Sequence, residues 1–176
     1  MEAVEMGKSV LLSIHPKWVN EIVDGEKTIE VRKTKPKIGA PFKCYIYHTS
    51  GGWEYRDHWC TAVMPPNGRL YDGSQRVIGE FICDEIKTYL PDDFVGAQDL
   101  DGTIREKPID GEYGYWIPDQ KQTCLTYCEI LKYGDGKTLY GWHISNLKIY
   151  DEPKELSDFG LKRPPQSWCY VKEEQK

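Results

Sequence analysis

The sequence predicts an α+β protein built on a small mixed β-sheet that is curled into a barrel with helices at its ends. The order of elements is one strand, one helix, then four or more strands with a late helix, which is typical of such folds. Two helical patterns are too few for the repeated crossovers of a doubly wound parallel sheet. The aromatic residues (6 Trp, 12 Tyr and 4 Phe) also favour a β-rich protein.

The first three elements are a strand, a helix and a second strand. Residues 9–14 (SVLLSI) form the apolar run of a buried strand. Pro16 suits the first turn of the helix because its missing N–H would be unpaired there, and Gly25 suits a left-handed cap at its end. Residues 28–33 (TIEVRK) alternate with period two, which predicts a strand with one apolar face and one charged face.

The later elements are mostly strands. One of them carries Gly79, where we expect a bulge or a bend. Residues 122–133 are predicted to form one helix, whose buried stripe includes Cys124 and Cys128. The predicted strands of this part are residues 42–48, 76–86, 138–149 and 167–171.

The length of 176 residues predicts a single domain over residues 1–176. Two irregular insertions interrupt it, at about residues 49–75 and 91–118, and both are rich in glycine, proline and aspartate. Because the first insertion carries several aromatic residues, we expect a hairpin or a lid there rather than a linker.

Charge and composition exclude several classes of protein. A formal net charge of -5 argues against a protein that coats nucleic acid through bulk positive charge, although residues 32–43 contain five basic residues and no acidic one. The longest aliphatic run is far shorter than the ~20 residues of a membrane span. Six scattered cysteines fit reduced thiols. The expected location is therefore the cytoplasm, without membrane contact.

Three charged residues converge in the segment GEKTIEVR, residues 25–32. Lys27 offers a cation for a phosphate or a carbonyl group, Glu30 an acceptor or a general base, and Arg32 a planar fork of donors. The alternative is a solvent-exposed strand face on which Glu30 and Arg32 pair with each other.

This segment resembles the G-x-K-x-x-E-x-R signature of the ASCH domain family, and SIHPKW at residues 13–18 precedes it in the same way. The segments at residues 77–81, 140–144 and 164–170 are similar to those of prokaryotic and phage-borne members. The resemblance implies a β-barrel related to the PUA domain. It also implies that the signature residues line a cleft for RNA or a nucleotide.

The predicted function is therefore the binding of single-stranded RNA or a modified nucleotide. Bases outside a duplex commonly stack on aromatic side chains, although such residues also fill cores. Lys33, Lys35 and Lys37 are expected to contact the nucleic-acid backbone. The predicted ligand-binding residues are Lys17, Lys27, Glu30, Arg32, Tyr47, Trp53 and Trp142.

Two other functions remain open. Some small members of the family resemble amidohydrolases of N4-acetylcytidine and others ribonucleases, which would make Lys27 and Glu30 an acid–base pair. The amidohydrolase branch has a threonine where this chain has Glu30, and the loss of that hydroxyl argues against acyl hydrolysis. The phage-like resemblance and the acidic second insertion suggest, as a third function, a protein that blocks a host protein.

No cofactor or metal ion is predicted. His48, His58 and Cys60 lie within thirteen residues, but no second close pair supplies the remaining ligands of a zinc site. Cys44 and His48 share a strand face at roughly 13 Å, too far apart for a nucleophile and its base. The chain also lacks the glycine-rich motifs of ATP and NAD sites.

Overall fold

The computed structural model describes residues 8–50, 61–94 and 118–172. The helices within these ranges are α1 (Pro16–Val23), α2 (Gln120–Thr123) and α3 (Tyr127–Gly134), with 3₁₀ turns at Pro91–Asp93 and Leu156–Phe159. The strands are β1 (Lys8–Ile14), β2 (Ile29–Arg32), β3 (Phe42–His48), β4 (Ala62–Val63), β5 (Tyr71–Asp72), β6 (Arg76–Tyr89), β7 (Leu139–Lys154) and β8 (Trp168–Lys172).

Six of these strands form one mixed sheet in the order β2-β7-β6-β3-β1-β8. β1 and β3 are parallel, as a connection through α1 allows, and the other neighbouring pairs are antiparallel. The short strands β4 and β5 pair separately, which gives the hairpin expected in the first insertion. The predicted α+β class with a mixed sheet is confirmed.

The predicted barrel is not closed by backbone hydrogen bonds, since β2 and β8 are both edge strands. Side chains bridge the gap instead. Arg32 Nη1 donates to the carbonyl and hydroxyl oxygens of Ser167, both at 3.3 Å, and Trp168 Nε1 donates to Thr34 Oγ1 at 2.9 Å. Because β2 has only four residues and two prolines precede β8, few backbone donors are available to continue the ladder here.

The core lies on both faces of the sheet, and β1 shows how. Leu12 packs with α1 and the aromatic rings of Phe81 and Trp142, whereas the adjacent Leu11 packs on the other face with Tyr47. This alternation explains why β1 has consecutive apolar residues at Val10, Leu11 and Leu12, because a strand that is covered on both faces needs apolar residues on both faces. A third cluster packs the apolar residues of β2 against α3.

The prediction of one helix over residues 122–133 is wrong. Cys124 has a left-handed backbone (φ 55°) and ends α2, and α3 begins only after the N-cap residue Thr126. The Thr126 hydroxyl accepts from the backbone N–H of Glu129, whose carboxylate accepts from that of Thr126. This reciprocal capping starts a new helix. It also rotates the buried stripe, so that Cys128 is exposed.

No helix in the described ranges is both long enough and apolar enough to cross a bilayer.

Gly79 lies at a register shift between β6 and β7, as the predicted bulge or bend requires. A Cβ atom there would lie 2.5 Å from the carbonyl oxygen of Lys148, which is backbone and cannot easily move. We therefore expect Gly79→Ala to lower the free energy of unfolding by about 1–3 kcal/mol, measured by urea denaturation. Gly39→Ala, where a Cβ would meet nothing within 4 Å, is the matched control. Equal stabilities of the two variants would contradict this packing.

Candidate functional site

A cavity of about 520 Å³ lies beside the gap between the sheet edges, where β2 faces α1 and α3. Its volume falls in the usual range for small-molecule sites. The charged residues of its lining are Lys27, Glu30, Arg32, Lys33, Glu129 and Lys132, and its aromatic residues include Trp18 and Tyr133. The G-x-K-x-x-E-x-R segment therefore supplies the cavity with its buried charges.

Lys27, Glu30 and Arg32 form one buried chain of charges. Glu30 Oε1 lies 3.0 Å from Arg32 Nη2, and Glu30 Oε2 lies 3.6 Å from Lys27 Nζ. Their side chains are only 2%, 7% and 8% exposed for Lys27, Glu30 and Arg32. Glu30 and Arg32 do pair, as the alternative expects, but the strand face that carries them is buried and not exposed to solvent.

Lys27 connects β2 to the segment that carries α2. Its Nζ donates to the Thr123 carbonyl oxygen at 2.5 Å and lies 4.9 Å from the centre of the Trp18 ring. Burial lowers the pKa of Lys27, and the nearby Glu30 carboxylate opposes that shift. Since the neighbouring Thr28 N–H also donates to the carbonyl oxygen of Gln122, this connection fixes the helical wall of the cavity against the sheet.

Arg32 connects β2 to the opposite edge of the sheet. Its Nη2 donates to the Ser13 carbonyl oxygen at 2.8 Å, in addition to the contacts of Nη1 with Ser167. Its Nε is buried and has no partner among the described residues. Arg32 thus uses most of its donors to hold protein segments together around the cavity.

The helix α3 forms the wall opposite β2. Glu129 accepts a hydrogen bond from Lys17 Nζ at 2.6 Å. Burial acts to raise the pKa of Glu129, but the hydrogen bonds from Lys17 and Thr126 outweigh it, so the pKa is lowered. Lys33 Nζ lies 5.0 Å from the centre of the Tyr133 ring, and burial raises the pKa of Tyr133. Lys33 and Lys132 are exposed, and they form the rim of the cavity.

Several predicted ligand-binding residues do not line the cavity. Lys17 is exposed beside α3 and pairs with Glu129. Tyr47 is buried in the core on the other face of the sheet, and Trp142 is fully buried with its ring edge-on to Phe42. Trp53 lies outside the described residues. The binding roles of these four residues stay predictions.

The basic residues of the segment 32–43 continue beyond the cavity after Lys33. Lys35 is exposed, with its Nζ 5.3 Å from the centre of the Tyr140 ring. Lys37 is exposed next to Tyr170, whose hydroxyl oxygen accepts from the Lys37 backbone N–H at 2.8 Å. The two lysines thus extend a basic surface beyond the rim, and their contacts with a nucleic-acid backbone stay a prediction.

The wall formed by α3, including Lys132 and Tyr133, was not predicted from the sequence. The spacing Thr126-x-x-Glu129 is the capping-box pattern that marks the start of a helix, and it could have placed α3 correctly. Nothing local in the sequence indicates that this helix packs opposite β2.

No group of three or more His, Cys, Asp or Glu side chains is placed to hold a metal ion in the part of the chain that the structure describes. His48 is fully buried, and burial lowers its pKa. His58 and Cys60 lie outside the described residues.

The mixed sheet with α1 between its parallel strands defines an α+β fold that known structures share. The chain is similar to the crystal structure of ASCH from Zymomonas mobilis, with a TM-score of 0.59 and 17% identity over 94% of this chain and 89% of that chain. Two single-substitution variants of the Zymomonas mobilis protein match at TM-scores of 0.57 and 0.59, with 16% and 17% identity. Each match covers 92% of this chain, and the matches cover 88% and 87% of the two variant chains.

The sequence model of the ASCH domain matches residues 12–94, which contain the G-x-K-x-x-E-x-R segment. The predicted ASCH domain family is therefore confirmed over these residues. No curated protein matches the chain significantly.

The burial of Lys27 predicts a pH-dependent stability. Because its pKa in the folded protein is below the ordinary value of 10.5, unfolding takes up protons between the lowered pKa and 10.5. The contribution of Lys27 to the free energy of unfolding therefore rises with pH in this window. Urea denaturation from pH 7 to 10 should show wild type gaining stability relative to Lys27→Met as pH rises.

The exposed Lys37, replaced by methionine in the same way, is the matched control for this measurement. A stability difference between wild type and Lys27→Met that is constant or falls with pH would contradict the burial of the Lys27 ammonium group.

Proposed function

We propose that this ASCH domain binds single-stranded RNA or a modified nucleotide, with one base in the cavity and the adjacent phosphates at its rim. The observation that carries the proposal is the buried chain of Lys27, Glu30 and Arg32 at the floor of a cavity of about 520 Å³. Charged groups that are buried in a cleft mark a candidate functional site.

The charge of the cavity supports an anionic ligand. Its lining has four lysine or arginine side chains against two glutamates, whereas the whole chain has a formal net charge of -5. Glu129 is already paired with Lys17, so the rim lysines have no acidic neighbour in the lining that neutralises them. A polyanion would therefore be attracted to this cavity, although the net charge of the whole chain is negative.

The aromatic walls support a nucleobase in particular. Trp18 and Tyr133 are both half-buried and line the cavity. A base that stacks on an aromatic ring gains about 1–3 kcal/mol, whatever its sequence context. The cavity thus combines cations and ring surfaces in the way that unpaired bases require.

The rim lysines give a direct test. In fluorescence anisotropy with a labelled single-stranded RNA, Lys33→Ala and Lys132→Ala should each weaken binding. Each should also reduce the slope of log affinity against log salt by about 0.7, the value for one lost phosphate contact on a single strand. Both residues are exposed, so the fold should be unaffected.

Lys148→Ala is the matched control, because Lys148 is an exposed lysine of β7 that does not line the cavity. It should leave the affinity and the salt slope unchanged. Wild-type slopes in both rim variants would mean that RNA does not bind at this cavity.

An acid–base catalyst is the second candidate, and one observation favours it. Burial lowers the pKa of Lys27, which lies 3.6 Å from the Glu30 carboxylate. A lysine with a lowered pKa exchanges protons more readily near neutral pH. The donor contacts of Lys27 with Thr123 fit a purely structural role as well, so binding remains the first proposal.

The catalytic proposal predicts a product when the protein is incubated with labelled RNA, or separately with N4-acetylcytidine. Assays with and without EDTA separate metal-dependent from metal-independent cleavage. Lys27→Met should abolish the reaction while RNA binding at the rim persists. Intact substrates in both assays would contradict catalysis and leave the binding proposal in place.

The block of a host protein stays a prediction. The acidic insertion that suggested it falls mostly outside the described residues.

A further inference from the structure

The floor of the cavity has few hydrogen-bond donors left for a ligand, although it contains two cations. Lys27 Nζ carries three N–H groups. Its surroundings use all three directions: the Thr123 carbonyl oxygen at 2.5 Å, the Glu30 carboxylate at 3.6 Å and the ring of Trp18 at 4.9 Å. A base that entered the cavity would therefore find no spare donor on Lys27.

The same count applies to Arg32. Its two terminal nitrogens carry four N–H groups, and four acceptors lie around them: two oxygens of Ser167, the Ser13 carbonyl oxygen and Glu30 Oε1. The remaining N–H, on Nε, has no partner among the described residues, but the Nε atom is buried out of reach of a ligand.

Glu30 is different, because a carboxylate has about four acceptor positions on its two oxygens. Oε1 faces Arg32 and Oε2 faces Lys27, which leaves spare acceptor capacity on each oxygen. The side chain keeps 7% of its surface exposed and lines the cavity. The floor thus offers a ligand two adjacent acceptors.

We infer that Glu30 selects a nucleobase that presents two adjacent N–H donors, and guanine is the standard base that does so. Its N1–H and its 2-amino group point the same way and match the two oxygens of a carboxylate. This inference rests on the proposed function, because it assigns the specificity of the same cavity.

The other bases fit this floor less well. Uracil presents one N–H between two carbonyl oxygens, and these oxygens would face a carboxylate with no donor to meet them, which leaves them unpaired. Cytosine and adenine present an amino group next to a ring nitrogen that is itself an acceptor. Each can therefore give Glu30 donors from the amino group alone.

Inosine gives the sharpest test, since it differs from guanosine only by the missing 2-amino group. The affinities of the RNA heptamers UUUGUUU, UUUIUUU and UUUUUUU for the wild-type protein are compared by fluorescence anisotropy at one salt concentration. One hydrogen bond to a charged group corresponds to about tenfold in affinity or more. We expect the guanosine heptamer to bind about tenfold more tightly than the inosine heptamer, and the uridine heptamer to bind most weakly.

Glu30→Gln is the variant that assigns the effect to this residue. Its amide replaces one acceptor by a donor, so the difference between the guanosine and inosine heptamers should shrink to about twofold or less. Lys148→Ala, the control used for the rim, should keep the wild-type difference. If Glu30→Gln does not fold, the comparison of the three heptamers on the wild-type protein still tests the guanine specificity.

The outcomes separate the two proposals. Equal binding of the guanosine and inosine heptamers would overturn the guanine specificity and leave RNA binding in place. A full wild-type difference in folded Glu30→Gln would equally overturn the role of Glu30. Failure of all three heptamers to bind would overturn the proposed function, and this inference with it.

Discussion

The buried chain from Lys27 through Glu30 to Arg32 is the constraint on which the rest of the site depends. Taking three charges out of water costs several kcal/mol per ion, and this cost is offset only where each charge meets partners of good geometry. Lys27 finds its partner at the end of α2, and Arg32 finds its partners at Ser13 and Ser167. One network therefore joins the helical wall, the strand β2 and the opposite sheet edge.

This network explains which charged residues of the cavity hold protein segments together and which remain available to a ligand. Lys27 and Arg32 look from the sequence like ligand-binding cations, yet their donors are mostly used by the protein itself. The positive potential remains, because a hydrogen bond to a carbonyl oxygen does not neutralise a charge. The floor therefore keeps a positive potential, and in the proposed complex the direct contacts fall to Glu30 and to the exposed lysines of the rim.

The sequence predicted the parts of the fold whose signal is local. β3 was expected at residues 42–48 and lies at Phe42–His48, because a seven-residue run rich in aromatic and aliphatic residues is typical of a strand that is buried on both faces. The placement of Glu30 and Arg32 on one face of β2 followed from the two-residue period of a strand. The bridge from Arg32 to Ser167 spans 135 residues, and no local pattern encodes it. The burial of Trp142 could not be predicted either, because a tryptophan looks the same in a sequence whether a core or a ligand covers it.

The match to the ASCH domain covers only part of the cavity, and this limits what the family implies about the ligand. Residues 12–94 include the buried chain of charges, but Glu129, Lys132 and Tyr133 lie beyond this range and complete the wall opposite β2. At 17% identity, the similarity to the Zymomonas mobilis protein extends to the fold alone. The signature thus supplies the floor of the cavity, whereas the helical wall comes from outside the matched range, so the ligand is inferred from the wall and the floor together.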